Sequence, residues 1–260
     1  MPNFAANLSF MFQEMELPER YAAAAAVGFR AVEFLFPYDH EPALLAERRE
    51  EAGLTQALFN VPPGDWQGGE RGITVLPGRE GEFQDGVGRA LEYARALGCL
   101  RLHAIAGLVP EGADREAYDR VYRDNLRFAA AAAKAEGIDI LIEPINDRDM
   151  AGYYLTTSAQ ARALIEELGL DNLFLQYDVY HAQIMEGDLA RTIRDNLDII
   201  RHFQISSVPD RHEPDEGEIN YPFLFELIDE SGYEGWVGCE YRPRGDTVAG
   251  LGWAKAYGIG

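Results

Sequence analysis

Three carboxylic acids stand at the ends of strongly apolar runs: Glu143 after IDILI, Asp178 after LFLQY and Glu240 after WVGC. A carboxylate carried into an apolar interior loses its hydration, and it persists there only when paired or bound to a cation. A fourth polar residue, Gln204, sits within HFQIS at the end of another such run. Glu143, Asp178, Gln204 and Glu240 together offer an all-oxygen donor set, which suits Mg2+ or Mn2+ better than Zn2+. Taken singly, each could instead cap a helix or pair with an arginine. Their recurrence at four successive run ends is what favours a divalent metal site. His181, three residues beyond Asp178, could contact a substrate oxygen or simply open a helix. Arg211, in VPDRHEPDEGEIN, is placed to clamp a carboxylate by bidentate hydrogen bonding. Glu33, Asn60, Glu70 and Arg71 are lesser candidates for pocket walls. His103 and His202 read as satisfied core histidines, and Phe12, Trp66 and Tyr241 as packing or shielding groups.

One phrase repeats along the chain: an apolar helix, a glycine that stops it, then a short β-branched or Leu-rich run. Glycine just past a helix supplies the left-handed conformation that ends it. RYAAAAAVG precedes Phe29–Phe36, ALLAERREEAG precedes Leu54–Asn60 and ALEYARALG precedes Cys99–Ile105. FAAAAAKAEG precedes Ile138–Glu143, ARALIEELG precedes Leu173–Asp178 and FLFELIDESG precedes Trp236–Glu240. With Phe4–Asn7 and Ile199–Ile205, eight strands alternate with helices, the last helix covering about Val248–Tyr257. Alternation implies parallel strands joined by crossovers, and eight units in 260 residues imply a single (β/α)8 barrel over residues 1–260. A doubly wound sheet would usually carry a Gly-rich phosphate loop, and no GxGxxG or Walker-type run follows any strand. Polar residues then fall at strand ends, where barrels place their sites. The irregular stretch Val61–Arg79 is long and Gly/Pro-rich enough to be a lid or site loop.

The 23 Lys+Arg against 44 Asp+Glu give a net charge of −21. That balance excludes a nucleic-acid backbone or an anionic membrane as partner. Two cysteines, Cys99 and Cys239, make no disulfide framework, and the N-terminal residues lack a basic signal-peptide region. A cytoplasmic, soluble protein is expected, with its oligomeric state open to a homo-oligomer. Only two residues are lysine, Lys134 and Lys255, both in Ala-rich helical segments, which speaks against Schiff-base chemistry.

With these residues in view, the chain resembles the hydroxypyruvate isomerase family of xylose-isomerase-like barrels, including the related 2-oxo-tetronate isomerases. The segments that carry the likeness are FAANLSFMF, AVEFLFPYDH, NVPPGDWQGGERGI, PGREGEF, ARALG, LIEPIN, QYDVYHAQIMEGD, HFQIS, RHEPDEGEINY and GWVGCEY, from residue 4 to about 253. The resemblance implies a divalent-metal site of Glu143, Asp178, Gln204 and Glu240, with Glu143 and Glu240 as the acid/base pair and His181 and Arg211 beside a small anionic hydroxy-oxo acid. More distant ketose 3-epimerases and AP endonucleases of this barrel type carry histidine where this chain has Gln204. The implied reaction is conversion of hydroxypyruvate to tartronate semialdehyde through a cis-enediolate; a 2-oxo-tetronate isomerase or a ketose 3-epimerase-like enzyme with the same chemistry is the alternative. A nuclease or a non-catalytic sugar-binding barrel fits the charge and the buried carboxylates less well.

Overall fold

The computed structural model describes residues 1–260 and closes eight parallel strands into one barrel, in chain order, with the first strand paired to the last. The strands are β1 (Asn3–Asn7), β2 (Ala31–Glu33), β3 (Thr55–Asn60), β4 (Arg101–His103), β5 (Asp139–Ile142), β6 (Leu173–Asp178), β7 (Ile200–Ile205) and β8 (Trp236–Cys239). The helices are α1 (Leu17–Ala26), α2 (Pro42–Glu51), α3 (Glu80–Leu97), α4 (Arg115–Lys134), α5 (Ser158–Leu168), α6 (Val179–Met185), α7 (Leu189–Asn196), α8 (Tyr221–Glu230) and α9 (Thr247–Gly250). The barrel expected from the sequence is therefore present.

Local chemistry explains the punctuation. α3 and α5 stop at Gly98 and Gly169, both left-handed at φ near +60°. Asp114 caps α4 by accepting from the backbone N–H groups of Glu116 and Ala117. Pro18 and Pro42 open α1 and α2, where a missing N–H costs nothing. Two details differ from the sequence reading. The crossover from β6 to β7 holds two short helices, because Gly187 and Asp188 both adopt positive φ between them. The last helix tightens after Gly250 into a 3-10 helix, Leu251–Tyr257, which packs Trp253 and Tyr257 edge-on against Phe4. Both cysteines are buried and free. No helix is long and apolar enough to cross a membrane.

Strand register decides what meets what. Asp178 on β6 lies opposite Gln204 on β7, which in turn lies opposite Gly238 on β8. Asn7 on β1 faces Glu33 on β2, and Asn60 on β3 faces His103 on β4. The polar strand ends thus form one ring at the C-terminal mouth.

Candidate active site

A cavity of about 730 Å³ opens at that mouth. Glu143, Glu240, His181 and Arg211 line it, joined by Asn60, Trp66, Arg71 and His103. Asp178 and Gln204 are buried but are not part of its wall. His103, expected as a core histidine, is instead a wall residue. Its Nδ1 lies 3.2 Å from Asn60 Oδ1 and 3.5 Å from Glu143 Oε2.

The carboxylates are tightly grouped. Asp178 Oδ1 accepts from the Tyr180 N–H (2.8 Å) and so caps α6. Its other oxygen is 3.4 Å from His181 Nε2 and 3.4 Å from Arg211 Nη2. The same Arg211 nitrogen lies 2.5 Å from Glu240 Oε2. Burial pushes the Glu143 carboxyl well above the usual range, with repulsion from Glu240 and Asp178 adding to it. Burial also raises Asp178, against the pull of Arg211. Glu240 is pushed up to about 8 by burial, again opposed by Arg211. One guanidinium, that of Arg211, faces three buried carboxyl groups whose charged forms burial disfavours.

That is the electrostatic setting in which a divalent cation is stable. Glu143 Oε1 is buried with no hydrogen-bond partner, and donor atoms of Glu143, Asp178 and His181 lie within 4.8 Å of one another. The carboxylates of this group fit a metal. The imidazole beside them is constrained. Asn146 Nδ2 donates to Asp149 (3.1 Å) while its Oδ1 accepts from the Asp149 N–H (2.8 Å), which fixes the amide orientation. The same Nδ2 lies 2.6 Å from His181 Nδ1, so Nδ1 must accept. Burial holds His181 neutral, well below its ordinary pKa, which leaves its proton on Nε2, facing Asp178 and Glu143. In this tautomer His181 is a hydrogen-bond donor at the site floor.

Several wall residues were not singled out from the sequence: Phe10, Arg148, Asp149, Gln176, Tyr180 and Arg242. Gln176 carried a usable signal, since it is two residues before Asp178 and strand side chains alternate. Tyr180 lies in the first turn of α6, and the others come from loops whose course no local pattern reveals. The Val61–Arg79 stretch does reach the site. Arg71 stacks 4.6 Å over the Trp66 ring and donates to the carbonyls of Trp66 and Glu70. Glu70 holds the loop closed by accepting from the Asp65 N–H and from Arg79. Gly72, at φ +102°, packs directly on the Ile105 carbonyl, where a side chain would collide. A stacked, pre-oriented guanidinium on a cavity wall is suited to an anion. Arg71→Ala is expected to raise KM for an oxo acid about tenfold, the worth of one charge-assisted hydrogen bond, with kcat held. Steady-state kinetics across substrate concentration checks this.

A parallel barrel with buried acidic groups at its C-terminal mouth is the architecture of metal-dependent sugar isomerases and their kin. Residues 21–257 match the family described as "Xylose isomerase-like TIM barrel". The chain is 57% identical over 257 residues to the 2-oxo-tetronate isomerase of Cupriavidus necator, covering 99% of each. It is 48% identical to the hydroxypyruvate isomerase of Escherichia coli, covering 99% of this chain and 100% of the relative. Among solved structures, a Brucella melitensis protein named AP endonuclease, family 2, superposes with a TM-score of 0.97 at 51% identity, covering 99% of both chains. The chain belongs to the hydroxypyruvate isomerase/2-oxo-tetronate isomerase family and is an isomerase.

Proposed function

We infer that the enzyme exchanges a carbonyl and a neighbouring hydroxyl on a short hydroxy-oxo acid, and that a four-carbon 2-oxo-tetronate is its preferred substrate. The observation that carries the chemistry is the buried pair Glu143 and Glu240, each just past the end of a different strand (β5 and β8), lining one cavity with four arginines: Arg71, Arg148, Arg211 and Arg242. One glutamate takes a proton from the hydroxyl-bearing carbon, giving a cis-enediolate. The proton is returned to the former carbonyl carbon by the same or the facing glutamate, and the hydroxyl proton passes between the two oxygens. Burial raises both carboxyls, Glu240 to about 8, which favours their taking up a proton. The His181 N–H is directed to steady a substrate oxygen, and the arginines receive the acid's carboxylate.

Glu143, Asp178, Gln204 and Glu240 are assigned as the residues that hold a divalent cation, Mg2+ or Mn2+. Bound there, it would polarise the substrate's carbonyl as a Lewis acid. The sequence resemblance alone implies the three-carbon acid. The 57% identity to a 2-oxo-tetronate isomerase, against 48% to a hydroxypyruvate isomerase, supports the four-carbon acid instead. An endonuclease reading, suggested by the name of the Brucella relative, conflicts with a net charge of −21. The deciding experiment compares kcat/KM on 2-oxo-tetronate and hydroxypyruvate with Mn2+ present. A ratio of about tenfold or more toward the four-carbon acid is expected, as one additional hydrogen-bonded hydroxyl would give. A ratio favouring hydroxypyruvate overturns the substrate assignment. Solvent deuterium should appear on the product carbon; turnover without exchange would indicate hydride transfer.

A further inference from the structure

Below the cavity lies a second polar group that the chemistry above does not use. Glu33, fully buried on β2, reaches across the barrel interior. Its Oε1 accepts from Asn7 Nδ2 (2.8 Å) and from Gln204 Nε2 (2.9 Å), and its Oε2 lies 2.5 Å from His202 Nε2. A carboxylate only accepts, so the NH2 of Gln204 must be the end that faces Glu33. The Gln204 oxygen is thereby turned the other way, where it lies 2.6 Å from Gln176 Nε2, a cavity-wall residue. Asn7 extends the arrangement, its Nδ2 lying 3.5 Å from Glu240 Oε1. β8 is shaped to admit this carboxylate: a Cβ on Gly238 would run into Oε1, Oε2 and Cδ of Glu33. A buried charge with three donors, and a glycine that makes room for it, is a costly arrangement that apolar packing would not need.

We propose that Glu33 is a positioning residue that locks the Gln204 amide with its oxygen toward the site, and that Gly238 is glycine to accommodate it. This rests on the assignment of Gln204 as an oxygen donor to a divalent cation. Two opposite insults test it. Gly238→Ala pushes the Glu33 carboxylate away, and Glu33→Asp retracts it by one methylene; neither removes a charge. Mn2+ binding is titrated in the absence of substrate, by calorimetry or by the electron spin resonance of free Mn2+. Each variant should bind Mn2+ about tenfold or more weakly, the scale on which outer ligand partners act. Saturating Mn2+ should restore most of kcat, which a merely structural lesion would not allow. If either folded variant binds Mn2+ as tightly as the wild type, the positioning role is wrong. If one variant fails to fold, the other decides. Glu143→Gln and Gln204→Ala serve as controls: Mn2+ affinity untouched by both would mean that the metal assignment itself has failed, a separate result.

Discussion

Glu143→Gln and Glu240→Gln, made singly, should each lower kcat by about 10²- to 10⁴-fold, the usual contribution of one positioned acid or base. The substitutions are isosteric and remove the ability to take and return a proton, together with one negative charge. Glu143 Oε1 is buried without any partner, and Glu240 keeps an acceptor for Arg211 after the change, so neither should disturb the barrel. Both residues are also assigned as metal donors, so the rates must be measured at saturating Mn2+. KM should move far less than kcat. Unfolding temperatures should match the wild type within a few degrees. Full activity in both variants would end the acid/base assignment; loss in only one would identify a single glutamate that handles the proton on both carbons.

The strand ends were the legible part of this molecule. Burying a carboxylate is so unfavourable that Glu143, Asp178 and Glu240 behind apolar runs announce themselves, and the structure groups Glu143 and Asp178 with His181 and joins Asp178 to Glu240 through Arg211. The glycines that stop helices located the strands for the same local reason. Less legible was the inward layer one step below. Gln176 and Asp178, His202 and Gln204, and Gly238 and Glu240 are pairs two residues apart, hence on the same side of their strands. His202 read as an ordinary core histidine because its partner, Glu33, is 169 residues away. The tautomer of His181 was likewise out of reach, since Asn146 and Asp149, which set it, belong to a loop after β5. Contacts made through barrel closure leave no periodic trace in the chain.

The acidity acquires a location in the same way. A chain of net charge −21 should repel an anionic substrate over long range. Four arginines nevertheless converge on one cavity, so attraction is confined to the mouth of the barrel. All four lie over aromatic faces: Arg71 over Trp66, Arg148 and Arg211 over Tyr180, and Arg242 over Phe10. Capture is short-range, and its salt dependence should be modest.

Arg211 is the exception, because it serves the protein's own carboxylates first. Its φ of +57° is an uncommon conformation for a residue with a side chain. The turn is pinned at both ends, by its N–H to Ser207 and its carbonyl to the N–H of Arg242. The guanidinium is thereby set 4.8 Å over the Tyr180 ring with Nη2 between Glu240 and Asp178, and its Nε is buried without a partner. Arg211→Ala leaves two buried carboxylates with no cation, which should cost about 3 kcal/mol of stability. For a domain of this size that lowers Tm by roughly 6–12 °C. Mn2+ should recover part of the loss, because a cation bound only to the folded state stabilises it. kcat/KM should also fall about a hundredfold, as when one partner of a buried charge pair is removed. Arg211→Lys should recover only a fraction, since an ammonium on a flexible stem cannot bridge two carboxylates in a fixed plane. Circular dichroism melts with and without Mn2+, alongside KM and kcat, separate these effects. A Tm equal to wild type in the metal-free Ala variant would mean that the two carboxyls discard their charge on losing Arg211, and that the guanidinium is held there for the substrate rather than for the fold.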